Sequence, residues 1–171
     1  RSHSWFAVGD FAAIDHDLTA LAAQAAGAGD DAALVTALVE LVTNLRMQGD
    51  SARCQLYVQQ ALAAAARTGR ADLKIDSLYV LGIAQIDRAD LPAAQASLAA
   101  AEALWTADNV LGRIKTLFGK GYLMLRMANH QEAVRSAEEA LQAARAYGRR
   151  SWEGHCLNLL AIAEPDLARH G

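Results

Sequence analysis

Turn pairs recur along this chain at a fixed interval. Gly9-Asp10, Gly49-Asp50 and Ala89-Asp90 are 40 residues apart, and Ala128-Asn129 follows 39 after Ala89. Each pair is followed by a segment rich in small residues: FAAIDHDLTALAA, SARCQLYVQQALAAAA, LPAAQASLAAAEAL and HQEAVRSAEEALQAA. A second series, Gly29, Gly69, Asp108 and Gly148, falls between the first at intervals of 40, 39 and 40. Self-similarity at such a period means a stack of like units, because one unit cannot bury its apolar face alone. Arrays of this kind present a surface to a partner more often than they enclose a reaction centre.

Each segment between turns reads as a helix. Alanine, the strongest helix former, supplies 39 of the 171 residues, and proline occurs only at Pro92 and Pro165. No window alternates as a strand does. The spacing predicts helices over 10–27, 31–47, 50–67, 71–88, 91–107, 110–127, 130–147 and 151–164, after a stub at 3–8. Asp10, Asp50 and Asp90 suit N-caps, since a short acceptor side chain reaches the free N–H groups of a first turn. Pro92 falls in a first turn, where no N–H is needed. Gly29, Gly69, Asp108 and Gly148 are expected to close helices, the glycines in the left-handed conformation. Links of two to four residues make neighbouring helices antiparallel. Segments such as LVTALVELVTNL and LYVLGIAQI are apolar on most faces, as for helices packed on two sides.

Bulk properties narrow the function. The net charge is -3, and no Lys/Arg run is dense enough to track phosphates, which disfavours nucleic-acid binding. Arg149-Arg150 reads as a solvated helix end. No 18-residue apolar run or signal peptide is present, so no membrane partner is expected and the compartment is read as cytoplasmic. Cys54 and Cys156 are too few and too far apart for a zinc motif, and both fall at apolar positions, as buried reduced thiols do. Trp5 and Phe6 stand where a preceding helix would end, and the chain reads as a piece of a longer protein.

Register across the units points to a family. The second unit carries Leu38, Val42, Leu45, Gly49-Asp50, Cys54, Val58 and Ala61-Leu62. The third carries Leu78, Leu81-Gly82, Ala89-Asp90, Ala94, Leu98 and Ala101. The fourth carries Leu117, Gly121, Met124, Glu132-Ala133, Ala137 and Ala140-Leu141. Gly82 and Gly121 leave the gap that close helix crossing needs, with Ala94 and Ala133 facing it. The first unit keeps Gly9-Asp10, Ile14, Leu18 and Leu21, and the last keeps Cys156, Leu159 and Leu160. This pattern resembles the tetratricopeptide repeat, in a long form of 39–40 residues rather than 34, similar to units in bacterial signalling and transcription regulators. The resemblance implies an all-α fold of antiparallel helix pairs stacked as a right-handed solenoid. It implies one domain over 1–171, with units at about 1–29, 30–69, 70–108, 109–148 and 149–171. Glu164-Pro165 would begin a further helix, and the last pair would leave an apolar face open.

In that family the first helices line a concave face, which marks candidate partner-binding residues. They are Val39, Thr43 and Arg46; Asp76, Tyr79, Ile83 and Asp87; Lys115, Phe118, Tyr122 and Arg126; and Leu157, Asn158 and Ala161. Tyr79, Phe118 and Tyr122 either anchor a ligand in the groove or fill the space between adjacent first helices. The clamp that grips a C-terminal carboxylate needs Lys and Asn one turn apart on a first helix. Val39/Thr43, Tyr79/Ile83 and Phe118/Tyr122 stand there instead.

Catalytic and metal chemistry find no support in the residues. Asp15, His16 and Asp17 are adjacent on a helix and point apart, as do His155 and Cys156. Asp30-Asp31 and Glu138-Glu139 read as surface charge. Gly119-Lys120-Gly121 lacks the strand–loop–helix setting of a phosphate loop. No catalytic residue, cofactor or metal is expected. The expected function is an interaction module that binds a protein or peptide segment. The alternative is a ligand-sensing or self-associating segment of a larger bacterial regulator, including a homodimer through its open terminal helices.

Overall fold

The computed structural model describes residues 11–170, with side chains as far as Glu164. Among them every regular element is an α-helix: α1 Phe11–Ala28, α2 Asp31–Gln48, α3 Ser51–Thr68, α4 Ala71–Asp87, α5 Leu91–Glu102, α6 Val110–Arg126, α7 His130–Ala146 and α8 Arg150–His170. The fold is all-α, as the periodicity demands. The stub at 3–8, with Trp5 and Phe6, and the Gly9-Asp10 turn lie outside the described residues.

Helix starts follow the side-chain chemistry of the turns. Asp30, Asp50 and Asp90 each accept a hydrogen bond from the backbone N–H three residues on, at 3.0, 3.1 and 3.3 Å. Asn109 and Asn129 do the same for α6 and α7, at 2.9 and 3.3 Å. Such caps satisfy N–H groups that a helix cannot pair internally. Helix ends use the left-handed conformation. Gly29, Gly49, Gly69 and Gly148 have φ between +63° and +76°. The equivalent turns at Ala89 and Ala128 hold φ of 61° and 58° with an alanine. That conformation brings a Cβ close to the following carbonyl oxygen.

Two boundaries differ from the sequence expectation. Helix α5 stops at Glu102, about five residues before the expected 107, and Asp108 does not close it. The connection turns twice, with Trp105 N–H donating to Glu102 O and Asn109 N–H to Thr106 O. Trp105 thereby packs against the cluster formed by Leu117, Ala137, Leu141 and Leu159. Burying an indole there competes with further helix, and Asn109 takes over as the cap of α6. At the other end, α8 runs through Pro165 to His170 rather than breaking at Glu164. A proline inside a helix removes one backbone bond, but the flanking bonds can carry the helix onward.

The chain divides into two compact units, with the boundary between Gly69 and Arg70. In the first, α2 packs against α1 and α3. Val35, Leu38, Leu41, Val42 and Leu45 of α2 are at most 1% exposed. Burying such a side chain fully is worth about 1.5–3 kcal/mol. Helix α2 has α1 on one side and α3 on another, hence its apolar majority.

In the second unit α6 is central, packing against α4 and α5 and also against α7 and α8. Its Leu123 joins Ile83, Ile86, Ala94 and Leu98 in one cluster. Its Leu117 joins Ala137, Ala140, Cys156 and Leu159 in another. The short links make α4–α5 and α6–α7 antiparallel pairs. Glycine permits the close crossing in both. A Cβ on Gly82 would stand 2.9 Å from Leu98 Cγ and 3.6 Å from Ala94 O; one on Gly121 would stand 3.2 Å from Ala133 O.

Candidate functional site

Helices α4, α6 and α8 occupy the same place in successive pairs, and their residues at matching register meet in the second unit. Asp76 of α4 and Lys115 of α6, 39 residues apart, form an ion pair at 2.8 Å. Their side chains are 27% and 14% exposed, so bulk water screens the pair only partly. One turn along, Tyr79 and Phe118 occupy the next equivalent positions. Both rings meet Trp152 of α8 edge to face, with centroids 6.0 and 5.7 Å away. His155 closes the group, 5.2 Å from Trp152 and 6.0 Å from Phe118. Edge-to-face contact sets the positive rim of one ring against the negative face of the next.

The result is a strip of four rings across three helices. Tyr79, Phe118 and Trp152 are half-buried, and His155 is exposed. Tyr79 also packs against the cluster of Ile83 and Leu98, and Phe118 against that of Leu117 and Leu159. Both alternatives for the aromatics therefore hold in part: they fill the space between helices and keep an edge in solvent. Tyr122 packs against both clusters and donates a hydrogen bond from its hydroxyl to Asp87 Oδ1 at 3.4 Å. Arg126 is exposed near the end of α6.

Other candidates fall elsewhere. Val39 and Ile83 are 7% and 2% exposed and offer no surface to a partner. Each stands on a helix packed on two sides, so a position that faces outward in a single pair becomes core in a run of helices. Thr43 is exposed, and its hydroxyl donates to Val39 O at 3.0 Å; Arg46 beside it is half-buried. Leu157, Asn158 and Ala161 are exposed on α8. Leu157 and Ala161 share a face turned away from Trp152 by their helical spacing, so they do not extend the ring strip.

Trp152 and His155 were not among the sequence candidates. The signal for His155 was present, since Asp76, Lys115 and His155 are spaced by 39 and 40 residues. Trp152 carried no such signal, because its register equivalent in α6 is Gly112.

The remaining polar groups are structural. Arg53 holds Asp15 through two hydrogen bonds, at 2.8 and 3.0 Å, while its guanidinium lies 5.7 Å over the Tyr57 ring. Asp15 thus serves an ion pair within the first unit. Arg67 donates to Asp31 at 2.9 Å and holds that carboxyl below its ordinary range. Cys54 and Cys156 are buried free thiols, and burial pushes Cys156 up to about 11. Among the described residues, no three His, Cys, Asp or Glu side chains gather as a metal site, and no helix is long and apolar enough to cross a membrane. No protein-family model matches the chain, and no curated protein matches it.

Proposed function

We propose that this chain is a tetratricopeptide-like interaction module that recognises a protein or peptide segment on the α4–α6–α8 face, without catalysing a reaction. The observation that carries this reading is the ring strip of Tyr79, Phe118, Trp152 and His155 beside the Asp76–Lys115 pair. Rigid rings with one exposed edge bury much apolar area on binding and lose little conformational freedom. The half-buried ion pair supplies one donor and one acceptor at fixed positions, which orients a backbone or a polar side chain. The tetratricopeptide-like register of the helix pairs supports the same use, since it sets equivalent residues of successive first helices side by side.

Selection of peptides from a random display library against the purified chain tests this. Selected peptides should bind the native chain and bind His155→Ala and Lys115→Glu at least tenfold more weakly. Peptides that bind all three equally would place recognition on another surface and overturn the proposal.

A further inference from the structure

The two ends of the array are complementary halves of one helix-pair interface, and we infer that copies of this chain associate head to tail, with α1 of one copy seated on α8 of the next. The inference rests on the repeat register and goes beyond the ring strip, which it does not use.

The first half lies on α1. Within a complete pair, the second helix buries three positions against its first helix. In α3 these are Cys54, Val58 and Ala61, at 2%, 1% and 0% exposure. In α7 they are Ala133, Ala137 and Ala140, all at 0%. The same register in α1 gives Ile14, Leu18 and Leu21, 40 residues before the α3 set. Ile14 is 42% exposed and Leu21 48%, and Leu18 is only half-buried. The opposite pattern marks the face that α1 does use: Ala22 and Ala25 are buried, and α2 packs against α1. Helix α1 therefore has the contact a second helix makes with the following pair, while its own first-helix face is bare.

The second half lies on α8. Leu38, Leu78, Leu117 and Leu157 follow one another at 40, 39 and 40 residues. Leu38 and Leu117, on helices with a following partner, are 1% and 4% exposed; Leu157 is 46% exposed. One turn on, Ala161 takes the place of Gly121, against whose backbone Ala133 and Ala137 of α7 lie. Ala161 is exposed. Helix α8 buries Cys156, Leu159 and Ala163 towards the preceding pair and leaves open the face that would receive a second helix.

A bare second-helix face and a bare first-helix face match in residue type, spacing and helix sense. Two large aliphatic side chains and a leucine on α1 meet a leucine and an alanine on α8, the pairing of bulk with small residues used inside the array. The contact is heterologous, so each copy added leaves one α1 and one α8 free for another.

Light scattering of the whole chain over a concentration series reads this directly. The native chain should gain mass with concentration in steps of one protomer. Leu21→Arg and Leu157→Arg should each stay monomeric, since each loses one half of the contact. Mixed in equal amounts they should form a species of two protomers and no larger, because the intact α1 of one fits the intact α8 of the other. Both substitutions fall at exposed positions, and thermal unfolding checks that each variant folds; Ile14→Glu and Ala161→Arg serve if either does not. A native chain that is monomeric throughout, or a mixture that stays monomeric, overturns the inference. So does loss of association in the Leu157 variant alone, which would mean α8 pairing with α8. None of these outcomes bears on peptide binding at the ring strip.

Discussion

Tyr79 and Trp152 meet edge to face at 6.0 Å, although they belong to α4 and α8 and α6 lies in sequence between them. Gly119 of α6 makes room for this contact. A Cβ there would stand 3.4 Å from the Tyr79 ring and 2.8 Å from Leu98 Cδ2. A missing side chain on the central helix thus joins rings from both flanking helices.

Gly119→Leu should therefore separate Tyr79 from Trp152 and destabilise the second unit by about 1–3 kcal/mol, the usual effect of overpacking a close contact. Gly82→Leu and Gly121→Leu should do the same by parting α4 from α5 and α6 from α7. Gly154→Ala should have the opposite sign, stabilising by about 0.5–1 kcal/mol, because nothing lies within 4 Å of a Cβ there. Thermal or urea unfolding separates the two groups. Unchanged stability of Gly82→Leu would mean that the assigned register is wrong.

The ring strip gives a second test. Tyr79→Ala and Tyr122→Ala should each cost about 1–3 kcal/mol, since both side chains pack against buried clusters. His155→Ala should change stability by less than about 0.5 kcal/mol, because the residue is exposed. Binding measurements should rely on the His155 variant. A large drop in its melting temperature would make it part of the packing instead.

The turns at Ala89 and Ala128 are strained positions where glycine stands in their equivalents. Ala89→Gly and Ala128→Gly should stabilise by up to about 1 kcal/mol each, the relief of left-handed strain outweighing the entropy of the freer unfolded chain. Gly49→Ala and Gly148→Ala should destabilise by about 1 kcal/mol. Unfolding of the four variants, compared as two pairs, checks the sign.

Asp50→Ala should lower stability by about 1 kcal/mol, because the cap to Arg53 N–H is lost. A loss far below this, measured by urea unfolding, would mean that water replaces the cap without cost.

The Cys156 thiol titrates in the folded chain near 11, above its ordinary 9.0, because burial disfavours the thiolate. A raised pKa means its contribution to stability is intact below about pH 9 and declines as pH rises from there through 11. Cys156→Ala should remove that part of the alkaline decline. At pH 8, iodoacetamide should modify Cys156 far more slowly than a free cysteine, by mass spectrometry of the labelled peptide.

Much of this protein was determined locally by its sequence. Asp30, Asp50 and Asp90 start helices because a carboxylate three residues from a free N–H needs no distant partner. Gly29, Gly49, Gly69 and Gly148 end them because only glycine enters the left-handed region without steric conflict. The 39–40 residue period then set the order of the pairs, and with it the meeting of Asp76 with Lys115. Tertiary packing decided what depends on residues far apart. It cut α5 short so that Trp105 could be buried beneath α6 and α7, and it turned Val39 and Ile83 into core. It also set Trp152, at a position where α6 has Gly112, between Tyr79 and Phe118. Local chemistry acts over three or four residues and is readable along the chain. Burial depends on which helices share a face, and Ile14 and Leu157 show how a position that is core in one pair stands open at the end of the row.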